Sequence, residues 1–385
     1  MSVSSIHPGP TVVFVDDAQM ECFFHLAAIL RKEGIRTVRV SVGLKGWQGN
    51  SLLFDRHVSL LVPPTPEQLS TILSSEYVTD VQPTESLAMV TYAALDLLSA
   101  SQRSDNWLGR SALLDKWRIA SYLRDLGLRT PDTLLVELVS PAQAVEKLSL
   151  PIVVKRRVSS GGLGVEVFEC LDSLEDFVSR IEEPREWIFQ RFVQGRPLVC
   201  ASCAGGDGFE LIATYEIFKR SYVRGPSIVV GIVRDESVTE NGRLLINAAQ
   251  IRGMICFDII RDTDGVDWIH DVNPRVFGGV TMCTSVGIDF YGFYVQGLLG
   301  ITRSELGHFD EIEEWAYVFP SGWQEAFKSG RASGAGVFGF EWARQHVRLL
   351  GLRYFLNLAA RAIWRVGRRA RRFWREMIPR AAKLD

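Results

Sequence analysis

The chain has 385 residues, of which 47% are hydrophobic and 23% charged, with a formal net charge of −2 at pH 7. This composition predicts a globular protein large enough for two or three domains. No run of eighteen uncharged apolar residues is present, which argues against a membrane-spanning helix. Residues 1–10 also lack the basic start and apolar core of a secretory signal. The six scattered cysteines are typical of buried thiols in a reducing cytoplasm, so we expect a cytoplasmic protein.

Two of these cysteines, Cys200 and Cys203, have the CxxC spacing of many metal and redox sites. No second pair or nearby His completes a zinc site. The run around them is strand-like, and residues three apart in a strand point to opposite faces. We therefore predict structural cysteines, with redox chemistry as the alternative.

The first hundred residues alternate between strand-like and helix-like segments. The predicted strands are 11–17, 35–42, 58–62 and 78–81, and the predicted helices are 20–34 and 85–98. This alternation favours a small open α/β layer. No glycine-rich turn follows the first strand, so we predict that this layer binds no nucleotide.

A glycine-rich segment connects two strands in the middle of the chain. Pro151–Lys155 reads as a buried strand that ends in a lysine, and Glu166–Phe168 reads as the next strand. Between them, Ser159-Ser160-Gly161-Gly162-Leu163-Gly164 predicts a flexible flap. Its backbone N–H groups would be able to wrap phosphate oxygens, because glycine permits close approach.

Acidic residues gather on a predicted hairpin further along the chain. Cys256–Ile260 and Trp268–Arg275 read as two strands, and Asp264-Gly265 supplies the positive φ that the turn needs. Strand alternation would send Asp271, Asn273 and Arg275 to one face, near Asp258. Oxygen ligands beside a fixed cation suit Mg²⁺ and phosphate. The alternative is a hairpin with a solvated acidic face.

A basic cluster precedes this hairpin. Lys219, Arg220 and Arg224 are grouped around Gly225-Pro226. They are equally consistent with a phosphate or carboxylate site and with a solvated loop.

These motifs together resemble an ATP-grasp enzyme, in the style of the carboxylate–amine ligases, over roughly residues 105–305. Asp115-Lys116 opens a helix, the flap follows Lys155, and Gln190–Gly195, where an apolar strand runs into a turn, resembles the hinge between the family's two subdomains. Asp258 and Asp271 have the separation expected of the two metal-binding carboxylates. Gly278-Gly279 and Val286-Gly287-Ile288-Asp289 resemble the closing segment.

The resemblance implies a role for each site residue. Lys116 and Lys155 would contact ATP phosphates under the flap residues Ser159, Ser160, Gly161, Gly162 and Gly164. The hinge residues Gln190, Arg191, Phe192 and Val193 would hold adenine. Asp258, Asp271 and Asn273 would hold two Mg²⁺ ions, with Mn²⁺ as an alternative. Arg275 would stabilise the transferring phosphoryl group, with Lys155 as the second catalytic residue. The implied reaction joins a small carboxylate to an amine through an acyl phosphate.

Three positions depart from the family pattern. Asp271 stands where Glu is usual, Arg196-Pro197 replaces an acidic residue after the hinge glycine, and Cys256 stands where some relatives have Arg. These departures keep two alternatives open. One is a non-catalytic ATP-binding protein on the same fold, and the other is a carboxylase-type or phosphate-transferring enzyme.

The C-terminal segment 341–385 is strongly basic. It holds twelve basic residues against three acidic ones, a balance of +9, so the rest of the chain carries −11. An arginine stripe lies beside an apolar stripe with interfacial tryptophans, which predicts a basic amphipathic helix at the anionic inner face of a membrane. The alternatives are packing on the protein itself or on a second subunit, as in a homodimer. Nucleic acid is disfavoured because the remaining chain is acidic.

The predicted organisation is therefore an α/β protein built around a two-subdomain grasp fold. An N-terminal pre-grasp layer spans 1–105, a subdomain with the flap spans 106–185, and a subdomain with the metal site spans 186–305. Residues 306–385 would form a linker, including 329–336, and the basic helical tail.

Overall fold

The computed structural model describes residues 9–17, 21–43, 53–76, 78–98, 110–159, 164–206, 209–220, 227–285, 287–300 and 315–317. The predicted linker 329–336 and the basic tail 341–385 lie outside these ranges. Among the described residues, every helix is too short or too polar to span a lipid bilayer.

An open parallel sheet forms the N-terminal layer, in the strand order β3-β2-β1-β4. Its strands are β1 (Thr11–Asp16), β2 (Arg36–Val42), β3 (Arg56–Leu60) and β4 (Asp80–Pro83). Its helices are α1 (Glu21–Lys32), α2 (Pro66–Ser74) and α3 (Ala88–Asp96), and a 3-10 turn, Glu85–Leu87, precedes α3. The predicted alternation of strands and helices is confirmed.

Helix α2 was not predicted, although its first residues carry a start signal. Thr65 and Gln68 cap each other, and Pro66 occupies the first helical turn. This pattern directly follows Pro63-Pro64, which is typical of the end of a strand and masks the helix start beside it.

Strand β1 is apolar throughout because both of its faces are covered. Val12 and Phe14 join a core that extends to residues of the later sheet and its helices. Val13 and Val15 pack instead with the core around α2 and α3. A strand buried on both sides reads as a continuous apolar run, and its packing fixes the N-terminal layer against the rest of the molecule.

A four-stranded antiparallel sheet follows, in the order β5-β8-β6-β7. Its strands are β5 (Thr133–Leu135), β6 (Ile152–Arg156), β7 (Val165–Phe168) and β8 (Trp187–Arg191). The helices of this region are α4 (Arg110–Leu114), α5 (Lys116–Asp125), α6 (Pro141–Leu148) and α7 (Leu171–Ser179). Strand β8 pairs with β5 and β6, so the change of sheet comes after Arg191, beyond the predicted boundary at 185. A boundary read from composition cannot tell which sheet a strand joins.

The third sheet is antiparallel and six-stranded, in the order β13-β12-β9-β10-β11-β14. Its strands are β9 (Gly195–Gly206), β10 (Phe209–Arg220), β11 (Ser227–Val233), β12 (Gly253–Asp262), β13 (Asp267–Asn273) and β14 (Trp315–Tyr317). Its helices are α8 (Glu236–Ala248), α9 (Val280–Ser285) and α10 (Phe290–Leu299). Strand β14 lies in the range predicted as linker and tail, because a three-residue strand is too short to show alternation.

The two cysteines of the CxxC spacing lie on opposite faces of β9. Cys200 packs in the core that contains Val238 of α8, and Cys203 packs in the core that contains Tyr294 of α10. Both thiols are buried and free, and burial raises the pKa of Cys200 to about 12. The prediction of structural cysteines agrees with this placement.

Residues 192–194 connect the four-stranded sheet to the six-stranded sheet. At Gly195, where β9 begins, a Cβ atom would lie 2.0 Å from the backbone oxygen of Arg261. No side chain fits at that distance, so glycine is required for β9 to approach β12 this closely. The junction therefore brings the end of β8, in the four-stranded antiparallel sheet, beside the β12–β13 hairpin.

Candidate active site

The β12–β13 hairpin carries the two predicted metal-binding carboxylates opposite each other. Asp258 and Asp271 are register partners, and Asn273 is paired with Cys256. The turn is held by Asp262 Oδ1, which accepts hydrogen bonds from the backbone N–H groups of Asp264 and Val266 at 3.0 and 2.8 Å. Gly265 has a φ of +80°, which confirms the predicted turn.

A β-bulge interrupts this hairpin beside the carboxylates. Asp258 pairs with Asp271 whereas Ile259 pairs with Ile269, so His270 is an extra residue on β13. A bulge breaks the alternation of side chains. Consequently both His270 and Asp271 line the same cavity, and His270 was missed because strict alternation places it on the opposite face.

Two lysines approach the carboxylates from other elements. Lys116, at the start of α5, lies 3.3 Å from Asp271 Oδ1 and donates to the Ser159 carbonyl oxygen at 3.3 Å. Lys155, on β6, donates to the His270 carbonyl oxygen at 3.1 Å. Both lysine side chains are buried, so two cations and two carboxylates share a site that solvent reaches poorly.

The root of the flap is tied to the start of α5. Asp115 caps this helix by accepting from Trp117 N at 3.0 Å. Its two carboxylate oxygens also accept from Arg157 Nε and Nη2, at 3.2 and 2.6 Å. In addition, the Lys116 N–H donates to the Arg157 carbonyl oxygen at 2.9 Å. These bonds fix Lys116 relative to the strand that leads into the flap.

The flap itself is described at its two ends. Ser159 lines the cavity, whereas Ser160, Gly161 and Gly162 lie outside the described residues. Gly164 does not line the cavity. It forms the turn into β7 with a φ of +68°, against Arg156 and Trp187.

The predicted hinge residues form another wall of the cavity. Gln190 is buried and donates from Nε2 to Thr133 Oγ1 at 3.0 Å. The Arg191 guanidinium lies 4.2 Å from the ring centroid of Trp268, a cation–π contact between the two sheets. Phe192 and Val193 follow in the connection and also line the cavity.

Arg275 reaches the site from just beyond β13. Its Nη2 donates to Asn273 Oδ1 at 3.0 Å and lies 3.3 Å from Glu85 Oε2 of the N-terminal layer. Its Nε is buried, and no group among the residues that the structure describes accepts a hydrogen bond from it. The Arg275 side chain thus connects the predicted metal ligand Asn273 to a carboxylate of another layer.

Most of the predicted site residues surround one cavity of about 850 Å³, within the range of small-molecule sites. The predicted site residues that line it are Lys116, Lys155, Ser159, Gln190, Arg191, Phe192, Val193, Asp258, Asp271, Asn273 and Arg275. These residues come from five separate segments of the chain, and no single sequence motif predicts that the five segments meet.

Burial and neighbouring charges shift the pKa values of the ionisable groups in the cavity. Burial, and then the charge of Asp271, raise the pKa of Asp258 to about 6. Burial opposes ionisation of Asp271 too, but Lys116 and Lys155 outweigh it and lower the pKa of this carboxyl. Burial and Lys116 lower the pKa of Lys155 to about 8. Perturbed groups of both signs in one cleft are typical of functional sites.

The donor set fits a hard divalent cation. Within the described ranges, no group of three or more His, Cys, Asp and Glu side chains is placed to hold a metal. Mg²⁺ commonly uses one or two carboxylates together with substrate phosphates. Asp258, Asp271 and Asn273 match that pattern, and a cation between the two carboxylates would relieve the repulsion that raises the pKa of Asp258.

Other cavity residues were missed or left open by the sequence. Glu85 follows β4 at the carboxyl edge of a parallel sheet, where ligand-binding residues are common, so a signal existed. Arg220 lines the cavity, so its side chain does not belong to a purely solvated loop. The side chain of Lys219 and all of Arg224 lie outside the described residues.

Comparison with protein families matches residues 113–279 to the ATP-grasp domain. Residues 113–279 form an ATP-grasp domain. The predicted family is thereby confirmed, and the cavity lies where the two sheets of this domain face each other. A comparison with curated protein sequences gives no match.

Solved structures share the ATP-grasp fold. N5-carboxyaminoimidazole synthetase from Staphylococcus aureus, complexed with ADP, has a TM-score of 0.63 at 12% identity, covering 77% of this chain and 79% of that chain. L-amino acid ligase from Bacillus licheniformis has a TM-score of 0.58 at 17% identity, covering 76% and 74%. The biotin carboxylase domain of 2-oxoglutarate carboxylase from Hydrogenobacter thermophilus has a TM-score of 0.64 at 12% identity, covering 79% and 73%. At these identities the likeness concerns the fold.

Proposed function

We propose that the protein is an ATP- and Mg²⁺-dependent ligase that activates a small carboxylate as an acyl phosphate and joins it to an amine. The observation that carries this proposal is the grouping of Asp258 and Asp271 with Lys116, Lys155 and Arg275 around one cavity. The ATP-grasp domain supports the nucleotide part of the proposal. The named ligase among the similar structures supports the reaction class.

Each side chain has a role that follows from its chemistry. Lys116 and Lys155 would neutralise the ATP phosphates, and Arg275 would bind the transferring phosphoryl group through its guanidinium. Asp258, Asp271 and Asn273 would hold Mg²⁺, which would neutralise negative charge on the ATP phosphates. Gln190 and the backbone of residues 191–193 would bind adenine. The flap, rooted at Arg157 and Ser159, would keep water from the acyl phosphate.

A phosphate-release screen tests this proposal. Purified protein with Mg²⁺ and ATP is offered pairs of amino acids and other small carboxylates, and we expect one class of pair to stimulate phosphate release. The joined product should appear by mass spectrometry in the same amount as the phosphate. Phosphate release without a joined product would indicate a phosphate-transferring or carboxylase-type enzyme instead.

A non-catalytic ATP-binding protein is the second candidate, favoured by one contact. Asp271 is shorter than the usual Glu and already pairs with Lys116 at 3.3 Å. If that ion pair persists with nucleotide bound, Asp271 would be lost as a metal ligand. ATP binding without turnover for any pair of substrates would support this candidate over the ligase.

We also propose that the basic segment 341–385 binds an anionic membrane surface, which would place a cytoplasmic ligase at the inner face of the membrane. The support is its charge balance of +9 beside an apolar stripe. The full chain is expected to co-sediment with vesicles that contain anionic lipid and not with zwitterionic vesicles. Deletion of residues 340–385 should abolish this binding, and unchanged binding after the deletion would exclude the proposal.

A further inference from the structure

The backbone between Asn273 and Val276 is held by the N-terminal layer and not by the ATP-grasp domain alone. Tyr92 Oη, on α3, donates to the Pro274 carbonyl oxygen at 2.6 Å. The Val276 N–H donates to Gln82 Oε1, on β4, at 2.9 Å. The partners are 182 and 194 residues apart in the chain, and both bonds are buried. We call residues 274–276 the anchored segment.

The orientation of the Gln82 amide is fixed by its other contacts. Gln82 Nε2 donates to Asp80 Oδ2 at 2.6 Å and to Tyr294 Oη at 3.3 Å. Arg110 Nη1 lies 3.2 Å from Asp80 Oδ1. An ionised carboxylate accepts hydrogen bonds and cannot donate them. The amide nitrogen must therefore face Asp80, which leaves the amide oxygen to receive the Val276 N–H.

The backbone position of the anchored segment sets the positions of two side chains that line the cavity. Arg275 belongs to it, and Asn273 immediately precedes it. The two are hydrogen-bonded to each other at 3.0 Å, and Arg275 also pairs with Glu85 of the N-terminal layer at 3.3 Å. A shift of the Pro274 carbonyl or the Val276 N–H would therefore move both cavity side chains together.

We propose that Tyr92 and Gln82 are positioning residues of the nucleotide site, which hold the anchored segment so that Asn273 and Arg275 face the bound metal and phosphate. This inference rests on the proposed function. It assigns the N-terminal layer a part in the nucleotide site even though that layer has no glycine-rich phosphate turn. The competing explanation is that the two hydrogen bonds only join the layers.

Nucleotide binding with and without metal separates these explanations. The full chain is titrated with a fluorescent ADP analogue in EDTA and in excess Mg²⁺, for the wild type and for Tyr92→Phe and Gln82→Met. We expect the metal-free affinity to stay within about twofold, because ADP lacks the transferring phosphoryl group that Arg275 would bind. The gain in affinity from Mg²⁺ should fall about tenfold or more, because residues that orient metal ligands typically change metal affinity by about 10–100-fold.

Thr91→Val is the matched control for both variants. Thr91 neighbours Tyr92 on α3 and is buried, and its Oγ1 atom has no hydrogen-bond partner within the described part of the chain. Removing this hydroxyl should change neither the metal-free affinity nor the Mg²⁺ gain. Thermal unfolding of all variants shows which of them remain folded at the assay temperature, and Gln82→Met provides the test if Tyr92→Phe does not fold.

The outcomes are distinct. An unchanged Mg²⁺ gain in both folded variants, or an equal loss of metal-free and Mg²⁺-dependent affinity, would overturn the positioning role. A wild type that binds no nucleotide, or binds it without any Mg²⁺ gain, would overturn the proposed function and this inference together. Failure of the positioning role would appear only in the variants, whereas failure of the proposed function would already appear in the wild type.

Discussion

Asp258→Asn is expected to abolish ATP turnover while making the ligand-free protein more stable. The substitution keeps the size of the side chain but removes one of the two facing carboxylate charges. Loss of residues that merely orient metal ligands costs about 10–100-fold, so loss of a direct ligand should cost at least about a hundredfold in phosphate release.

The gain in stability follows from the raised pKa of Asp258. The folded protein holds this proton up to about pH 6, whereas the ordinary value for Asp is 3.8. Ionisation of Asp258 therefore destabilises the ligand-free fold increasingly as the pH rises from about 4 to 6. A shift of this size corresponds to roughly 1–3 kcal/mol, which the Asn variant would recover at neutral pH. Thermal unfolding without nucleotide at pH 4 and pH 7 measures this difference.

Asp264→Asn is the control for this experiment. Asp264 lies exposed at the tip of the same hairpin, so the same chemical change should leave turnover and stability close to wild type. A fully active Asp258→Asn enzyme would show that the metal site has been misplaced. An unchanged unfolding temperature at pH 7 would show that ionisation of the buried Asp258 carboxyl beside Asp271 does not destabilise the free protein.

Lys155→Met is expected to weaken the binding of metal-free ATP by about tenfold to a hundredfold, because one charged hydrogen bond to phosphate is lost. In the wild type the pKa of Lys155 is lowered to about 8, first by burial and then by Lys116. Free protein thus loses this positive charge as the pH rises through 8. ATP affinity should therefore fall between pH 8 and pH 9.5 in the wild type.

Two further variants make the Lys155 experiment specific. Arginine stays charged over this pH range, so Lys155→Arg should show a flat pH dependence whatever its absolute affinity. Lys147→Met removes an exposed lysine of α6 and should bind ATP as the wild type does. A wild-type affinity that stays constant from pH 7 to pH 9.5 would contradict a phosphate contact by a Lys155 that titrates near 8.

Much of the site was predictable because its motifs are local. The Asp-Gly turn, the apolar strands and the spacing of Asp258 and Asp271 are contained in one short stretch of the chain. The flap lysine Lys155 was predictable for the same reason, since a strand that ends in lysine before glycines is a local pattern. The departures from prediction have equally specific causes. His270 lines the cavity beside a bulge in β13, and Gly164, in the turn that precedes β7, does not line it.

The amino-acid sequence by itself determined most of the helices and strands, the ATP-grasp domain and the paired carboxylates, because these depend on neighbours a few residues apart. Only the tertiary structure decided which distant residues share the cavity. Lys155 meets His270 across 115 residues, and Gln82 meets Val276 across 194. Glu85, which no motif singled out, meets Arg275 through the same packing of layers. Such contacts depend on how the sheets and helices pack against each other, and hydrophobic burial drives that packing. No local sequence pattern indicates which polar groups the packing brings together.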